Sequence, residues 1–226
     1  MESRERHVVL AELRDAIRKI ERRPSRRDGC VACGRPEIDR VLPGGGFPRG
    51  ALTELAGGPA SGKTAVVLSL FSALGAEDLF AWIDSRGELY PPAAAALGVD
   101  LGRLLLVRPT AGPTAADPER SLAAVLWAAE ALLASGAFAA VAVDAPAGRL
   151  ARGADAVARR LQGAAEKGGA VGLWLAGPGA AIRIPAALRL ELSTDAGRIV
   201  ASRTFGVPAD GVERFVRRAG GGGHAA

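Results

Sequence analysis

Lysine is almost missing from this chain of 226 residues: Lys19, Lys63 and Lys167 are the only three, so the net charge of +5 rests on arginine. An arginine excess is compatible with a nucleic-acid partner without demanding one, because a GC-rich genome imposes the same Arg and Ala bias. Cysteine is scarce too. Cys30 and Cys33 form a lone C-x-x-C; no second pair and no nearby histidine completes four zinc ligands, so two reduced thiols are expected. Aromatic residues are few, while nearly half the residues are apolar and Ala is abundant, the composition of a globular domain. No uninterrupted apolar run reaches the about 18 residues of a membrane span. The opening residues, MESRERH, are charged and do not read as a secretory leader. The expectation is a cytoplasmic, nucleoid-associated chain with no membrane partner.

The strongest signal is residues 57–64, GGPASGKT, which fit G-x-x-x-x-G-K-[ST]. Glycines allow the backbone to curl so that successive N–H groups converge on an anion, and the following helix adds its partial positive charge. Gly57, Gly58, Pro59, Ala60, Ser61 and Gly62 would form this cradle. Lys63 would reach the outer phosphates of a nucleotide, and the Thr64 hydroxyl would meet Mg²⁺. The flanks agree: ALTELA (51–56) reads as a strand and AVVLSLFSAL (65–74) as an apolar helix.

Length favours one core with short appendages: an N-terminal helix and linker over 1–29, a nucleotide-binding core over 30–218 and a disordered tail over 219–226. In residues 5–23, Leu10, Leu13, Ile17 and Ile20 make one apolar stripe among arginines. Such a helix can pack on its own domain or dock into a partner or a second copy; the charged joint PSRRDG (24–29) suits the latter. Further strands are expected at LFAWID (79–84), FAAVAVD (138–144) and AVGLWLAG (170–177), and helices at 116–136 and 149–167. Asp117 would cap the first of these helices and Pro118 would open it. ALRLELS and RIVASRTF flank the turn TDAG, making a hairpin at the sheet edge. Asp144 ends its strand, where an acid either caps the next segment or holds Mg²⁺ through water.

The succession of I-D-x-x-L, a Gly-rich bend, G-x-P-R-G, a strand with Glu54, and G-x-x-x-S-G-K-T resembles the RecA recombinase family. LFAWID and the LGVD phrase at 97–100 follow in the family's order. The resemblance covers about residues 33–205. It implies an α/β fold, a RecA-like phosphate-loop core with a mainly parallel sheet flanked by helices, ending in the β-hairpin edge. ATP or ADP with Mg²⁺ would sit at the C-terminal ends of the strands. It makes Asp144 the Walker B acid, places Asp84 near the metal and offers Tyr90 for adenine contact, although a surface tyrosine beside Pro91 and Pro92 is an equal reading.

Where RecA proteins carry the glutamate that polarises the attacking water, this chain has Arg86; Glu88 lies two residues on. The polar γ-phosphate sensor is replaced by the stretch Ala176, Gly177, Pro178. The DNA-binding loop shrinks to GPGAAIRIP, with Arg183 its single charge, and of the family's basic pair near residues 202–204 only Arg203 remains. On this resemblance no counterpart of the family's C-terminal domain is expected within these 226 residues. A shortened core with a basic N-terminal helix resembles the ImuA group of SOS-induced translesion-synthesis accessory proteins, which act with the polymerase homologue ImuB and with RecA.

The expected function is therefore an ATP-binding accessory protein of the DNA damage response, acting mainly through protein partners, with weak or no hydrolysis. The alternative is an active DNA-dependent ATPase with Glu88 or a neighbour's residue as base. Single-stranded DNA would then meet Arg159, Arg160 and Arg183, together with Arg152, Arg214, Arg217 and Arg218. A small-molecule kinase would need an arginine-bearing lid and an acceptor pocket, and neither is visible in the sequence.

Overall fold

A computed structural model describes residues 29–109, 118–144, 154–176 and 188–206. Its elements run β1 (Cys30–Val31), α1 (Pro36–Asp39), β2 (Phe47–Pro48), β3 (Ala51–Ala56), α2 (Lys63–Ala73), β4 (Leu79–Asp84), α3 (Pro91–Ala96) and β5 (Leu104–Val107). They continue with α4 (Pro118–Ala134), β6 (Phe138–Asp144), α5 (Ala154–Gly168), β7 (Val171–Ala176), β8 (Leu188–Asp195) and β9 (Arg198–Gly206). The N-terminal stripe, the Asp117 cap, the tail, and Arg152, Arg183, Arg214, Arg217 and Arg218 lie outside the described residues.

Seven strands form one sheet in the order β5-β4-β6-β7-β3-β8-β9. Every neighbouring pair is parallel except β8 with β9, which closes the edge as an antiparallel hairpin. This is the α/β, mainly parallel architecture the sequence leads one to expect. β1 and β2 pair separately as a two-stranded antiparallel ribbon leading into β3.

All six residues of both β3 and β7 are buried, as expected of parallel strands covered on both faces. Alternation then decides which helix each side chain meets. Phe80 and Trp82 of β4 pack with Phe71 of α2, whose ring stacks on Phe80 at 4.6 Å and meets Trp82 edge-on at 6.2 Å. Ala81 and Ile83 face the other way, towards Val125, Ala129 and Leu133 of α4. In β7, Leu173 and Leu175 join the first cluster and Trp174 the second. Each fully buried Phe or Leu side chain contributes about 1.5–3 kcal/mol relative to exposure, so both faces of the sheet are held by buried apolar layers.

The expected bounds shift slightly at the helices. α2 starts at Lys63, two residues before the apolar run, because Gly62 turns through φ +90° and the helix begins directly after it. α5 is described from Ala154 and buries Ala158, Leu161, Ala164 and Ala165 while Arg159 and Arg160 stay exposed. Among the described residues no helix is long and apolar enough to cross a membrane.

Candidate functional site

The loop between β3 and α2 opens at the C-terminal edge of the sheet. Gly62 is the backbone N-cap of α2 and no side chain caps the helix, so its first-turn N–H groups face outward as an anion site. A side chain at Gly62 would be strained, since its φ lies in the left-handed region, and an added Cβ would sit 2.5 Å from Ile199 Cδ1, so that Ile199 would have to shift. Ala60 also adopts positive φ, +57°. Thr194 of β8 holds that bend by donating its hydroxyl to the Ala60 carbonyl at 2.7 Å. The edge hairpin therefore braces the loop at two points, a role the sequence did not disclose for Thr194 or Ile199.

Lys63 folds back over the loop, donating to the carbonyl oxygens of Gly57 and Gly58 and to Ser61 Oγ. Burial lowers its pKa, and the nearby Arg86 charge lowers it further. Thr64 stands exposed at the start of α2, Gly58 and Pro59 line the outer face of the loop, and Ser61 is buried beneath it. The geometry fits a phosphate chain: uncapped amides, a lysine whose contacts are loop carbonyls it can leave, and no side chain projecting from Gly57 or Gly62.

Asp144 ends β6, and β7 stands between β6 and the loop strand β3. Two strand spacings put about 10 Å between β6 and β3. Asp144 is buried, and both its oxygens accept from Arg86: Nη2 lies 2.8 Å from Oδ1 and 3.0 Å from Oδ2, and Nε 3.2 Å from Oδ2. Arg86 Nη2 also pairs with Glu88 Oε2 at 3.2 Å. The Ser85 hydroxyl donates to the Asp144 carbonyl at 2.6 Å, tying the ends of β4 and β6 together. Burial raises the Asp144 pKa against the lowering pull of Arg86.

Asp84 lies beside Asp144 as its strand partner, but its carboxylate is committed to the turn that follows. It accepts from the amides of Glu88 at 2.9 Å and Leu89 at 3.3 Å, and from Arg108 Nε at 3.0 Å. Of the residues the sequence offers for Mg²⁺, Asp144 is held by Arg86, Asp84 by Arg108 and two backbone amides, and Thr64 is exposed at the start of α2. Among the described residues no cluster of three or more acidic, histidine or cysteine side chains is poised for a metal. Arg108 carried no signal in the sequence beyond following β5.

Tyr90 is largely exposed at the start of α3, after β4. Arg159 and Arg160 lie away from the loop on α5, and Arg160 is ion-paired with Glu130 of α4. Arg203 is half-buried on the edge strand β9. Glu54, the acid inside β3, is buried and meets Arg189 Nη1 at 3.1 Å. Cys33 is buried, which pushes its thiol up to about 12, and Cys30 donates to the Pro43 carbonyl; both are free thiols.

A parallel sheet with a glycine-rich loop entering a helix, and an acid at the end of a strand two places away, is the layout of a phosphate-loop α/β domain. The RecA N-terminal domain family matches residues 13–155, well over half of the chain, and the chain belongs to that family. It is similar to Protein RecA of Rubrobacter xylanophilus, 34% identical over 138 residues, which is 61% of this chain and 37% of that protein. It is likewise similar to Protein RecA of Limosilactobacillus reuteri, 37% identical over 123 residues, covering 54% of this chain and 31% of the other. The match to Protein RecA of Staphylococcus carnosus is 33% over 130 residues. The chain spans about a third of the length of these curated relatives.

Proposed function

We propose that this chain is a RecA-like nucleotide-binding accessory protein of DNA repair, which binds ATP or ADP at residues 57–64 and turns it over weakly or not at all. One observation carries the reading. Arg86 stands where the family resemblance expects the water-polarising glutamate, and its guanidinium is spent on Asp144. A general base must reach the attacking water and accept its proton; a guanidinium does neither. Glu88, two residues on, points its carboxylate at Arg86 in this arrangement.

A nucleotide held without turnover acts by favouring one conformation over another, to the extent of its differential affinity for the two. The loop offers a route for that bias, since its Ala60 and Gly62 touch the edge hairpin through Thr194 and Ile199. By resemblance to the ImuA group, the partners are an ImuB-like polymerase homologue and RecA, in translesion synthesis during the SOS response. Direct contact with single-stranded DNA, through Arg159 and Arg183 among others, would add a steep salt dependence.

The test is ATP turnover by the purified chain, with and without single-stranded DNA, beside a nucleotide titration and a Lys63→Ala control. Binding without turnover, weakened at least about tenfold in Lys63→Ala, is the expected result. Turnover that DNA stimulates and Lys63→Ala abolishes would replace this reading with that of a DNA-dependent ATPase.

A further inference from the structure

We propose that Arg86 is the resident cation of the nucleotide site, taking at Asp144 the place of a hydrated Mg²⁺, so that nucleotide binding is nearly independent of divalent metal. The inference rests on the nucleotide-binding reading above and specifies how that site balances its charge.

An ionised carboxylate offers two oxygens and about four lone-pair positions. Three contacts from Arg86 cover both oxygens of Asp144, and the Asp144 side chain is 5% exposed. Mg²⁺ demands near-octahedral geometry and keeps several of its waters. With three of those lone-pair positions taken and the carboxylate buried, a hydrated ion competes directly with Arg86 for Asp144. A planar guanidinium held in a two-pronged pairing is among the stronger charge-assisted contacts. Glu88 adds a further, exposed ion pair to the same Nη2.

The neighbouring acid offers no alternative, since Asp84 is held by Arg108 and the amides of Glu88 and Leu89. Among the described residues, a metal carried in with a nucleotide is then left with the phosphate oxygens and Thr64. With Asp144 and Asp84 both held, the protein gains little by binding the metal-loaded form over the free nucleotide. Arg86 meanwhile offsets the Asp144 charge that would repel a metal-free phosphate chain.

The experiment is calorimetric titration of the full chain with ADP, and with a non-hydrolysable ATP analogue, in Mg²⁺ and in chelator. For the wild type the two dissociation constants should agree within about threefold. In R86Q the bared Asp144 repels free nucleotide and attracts the metal-loaded form, so the ratio should widen by about tenfold or more. The R86Q/D144N double variant, lacking both charges, should return to the wild-type ratio. A wild-type ratio as large as that of R86Q overturns the proposal, and so does a double variant that keeps the wide ratio. The wild-type ratio is a test in itself, whatever the folding of the variants. Absence of binding by wild type and R86Q in both buffers overturns the nucleotide-binding reading and this proposal with it, whereas a measurable but strongly metal-dependent affinity overturns this proposal alone.

Discussion

Burial raises the Asp144 carboxyl above its ordinary value of 3.8 although the guanidinium of Arg86 pulls it down. A carboxyl whose folded-state pKa is raised binds its proton more tightly in the folded chain than in the unfolded one. The stability it lends is complete below the unfolded value and is lost as pH rises through the folded value. Asp144→Asn removes that loss. The variant should therefore be more stable than wild type at pH 7, with the difference shrinking as pH falls towards 4; urea midpoints across that range check it. A deficit at pH 7 would mean that the Arg86 contacts outweigh the burial of the charge. Lys63 differs in kind, because its contacts are to loop carbonyls that phosphates can replace, so its removal touches binding more than folding.

Two glycines of α5 carry opposite expectations that only packing distinguishes. Gly163 is exposed, with nothing within 4 Å of the place a Cβ would occupy. Gly163→Ala should stabilise by about 0.5–1 kcal/mol, through helix propensity and a less free unfolded chain. Gly168, at the helix end, is buried, and a Cβ there would lie 1.9 Å from the Leu133 carbonyl oxygen of α4. That oxygen belongs to the backbone and cannot rotate away. Gly168→Ala should cost about 1–3 kcal/mol, and chemical denaturation of the two variants should move the midpoint in opposite directions. The edge hairpin is the other element whose role comes from its placement: Thr194 and Ile199 lie beyond the residues the family model matches, yet both contact the loop.

For the molecule as a whole, a ligand that binds the folded chain alone stabilises it by an amount set by its concentration over its dissociation constant. At a hundredfold excess over that constant the gain is about 2.7 kcal/mol. For a chain of this size it should raise the melting temperature by about 5–10 °C. ADP should produce that shift in the wild type and little of it in Lys63→Ala, read by differential scanning calorimetry at matched protein concentration. A shift of equal size in the variant would place the nucleotide away from residues 57–64. The site depends on the whole sheet, because its loop follows β3, its acid ends β6 and its guanidinium follows β4, with β7 interposed.

Local chemistry sufficed for much of this in the amino-acid sequence. Strands 51–56, 79–84 and 138–144 are legible to the residue because apolar runs between glycine, charge and turn signals leave few other places to start or stop. The loop at 57–64 is legible because its glycine and lysine spacing is itself the geometry of a phosphate cradle. The TDAG hairpin follows from alternation on either side of a two-residue turn. What Arg86 does could not be read that way. The sequence marks it as a departure from the expected glutamate, but its pairing with Asp144 joins residues 58 positions apart and exists only because β4 and β6 are neighbours. The same holds for Arg108 on Asp84, Arg189 on Glu54 and Thr194 on Ala60. Which charges neutralise one another is settled by strand order and distance, since Coulomb attraction falls with separation in space and is indifferent to separation along the chain.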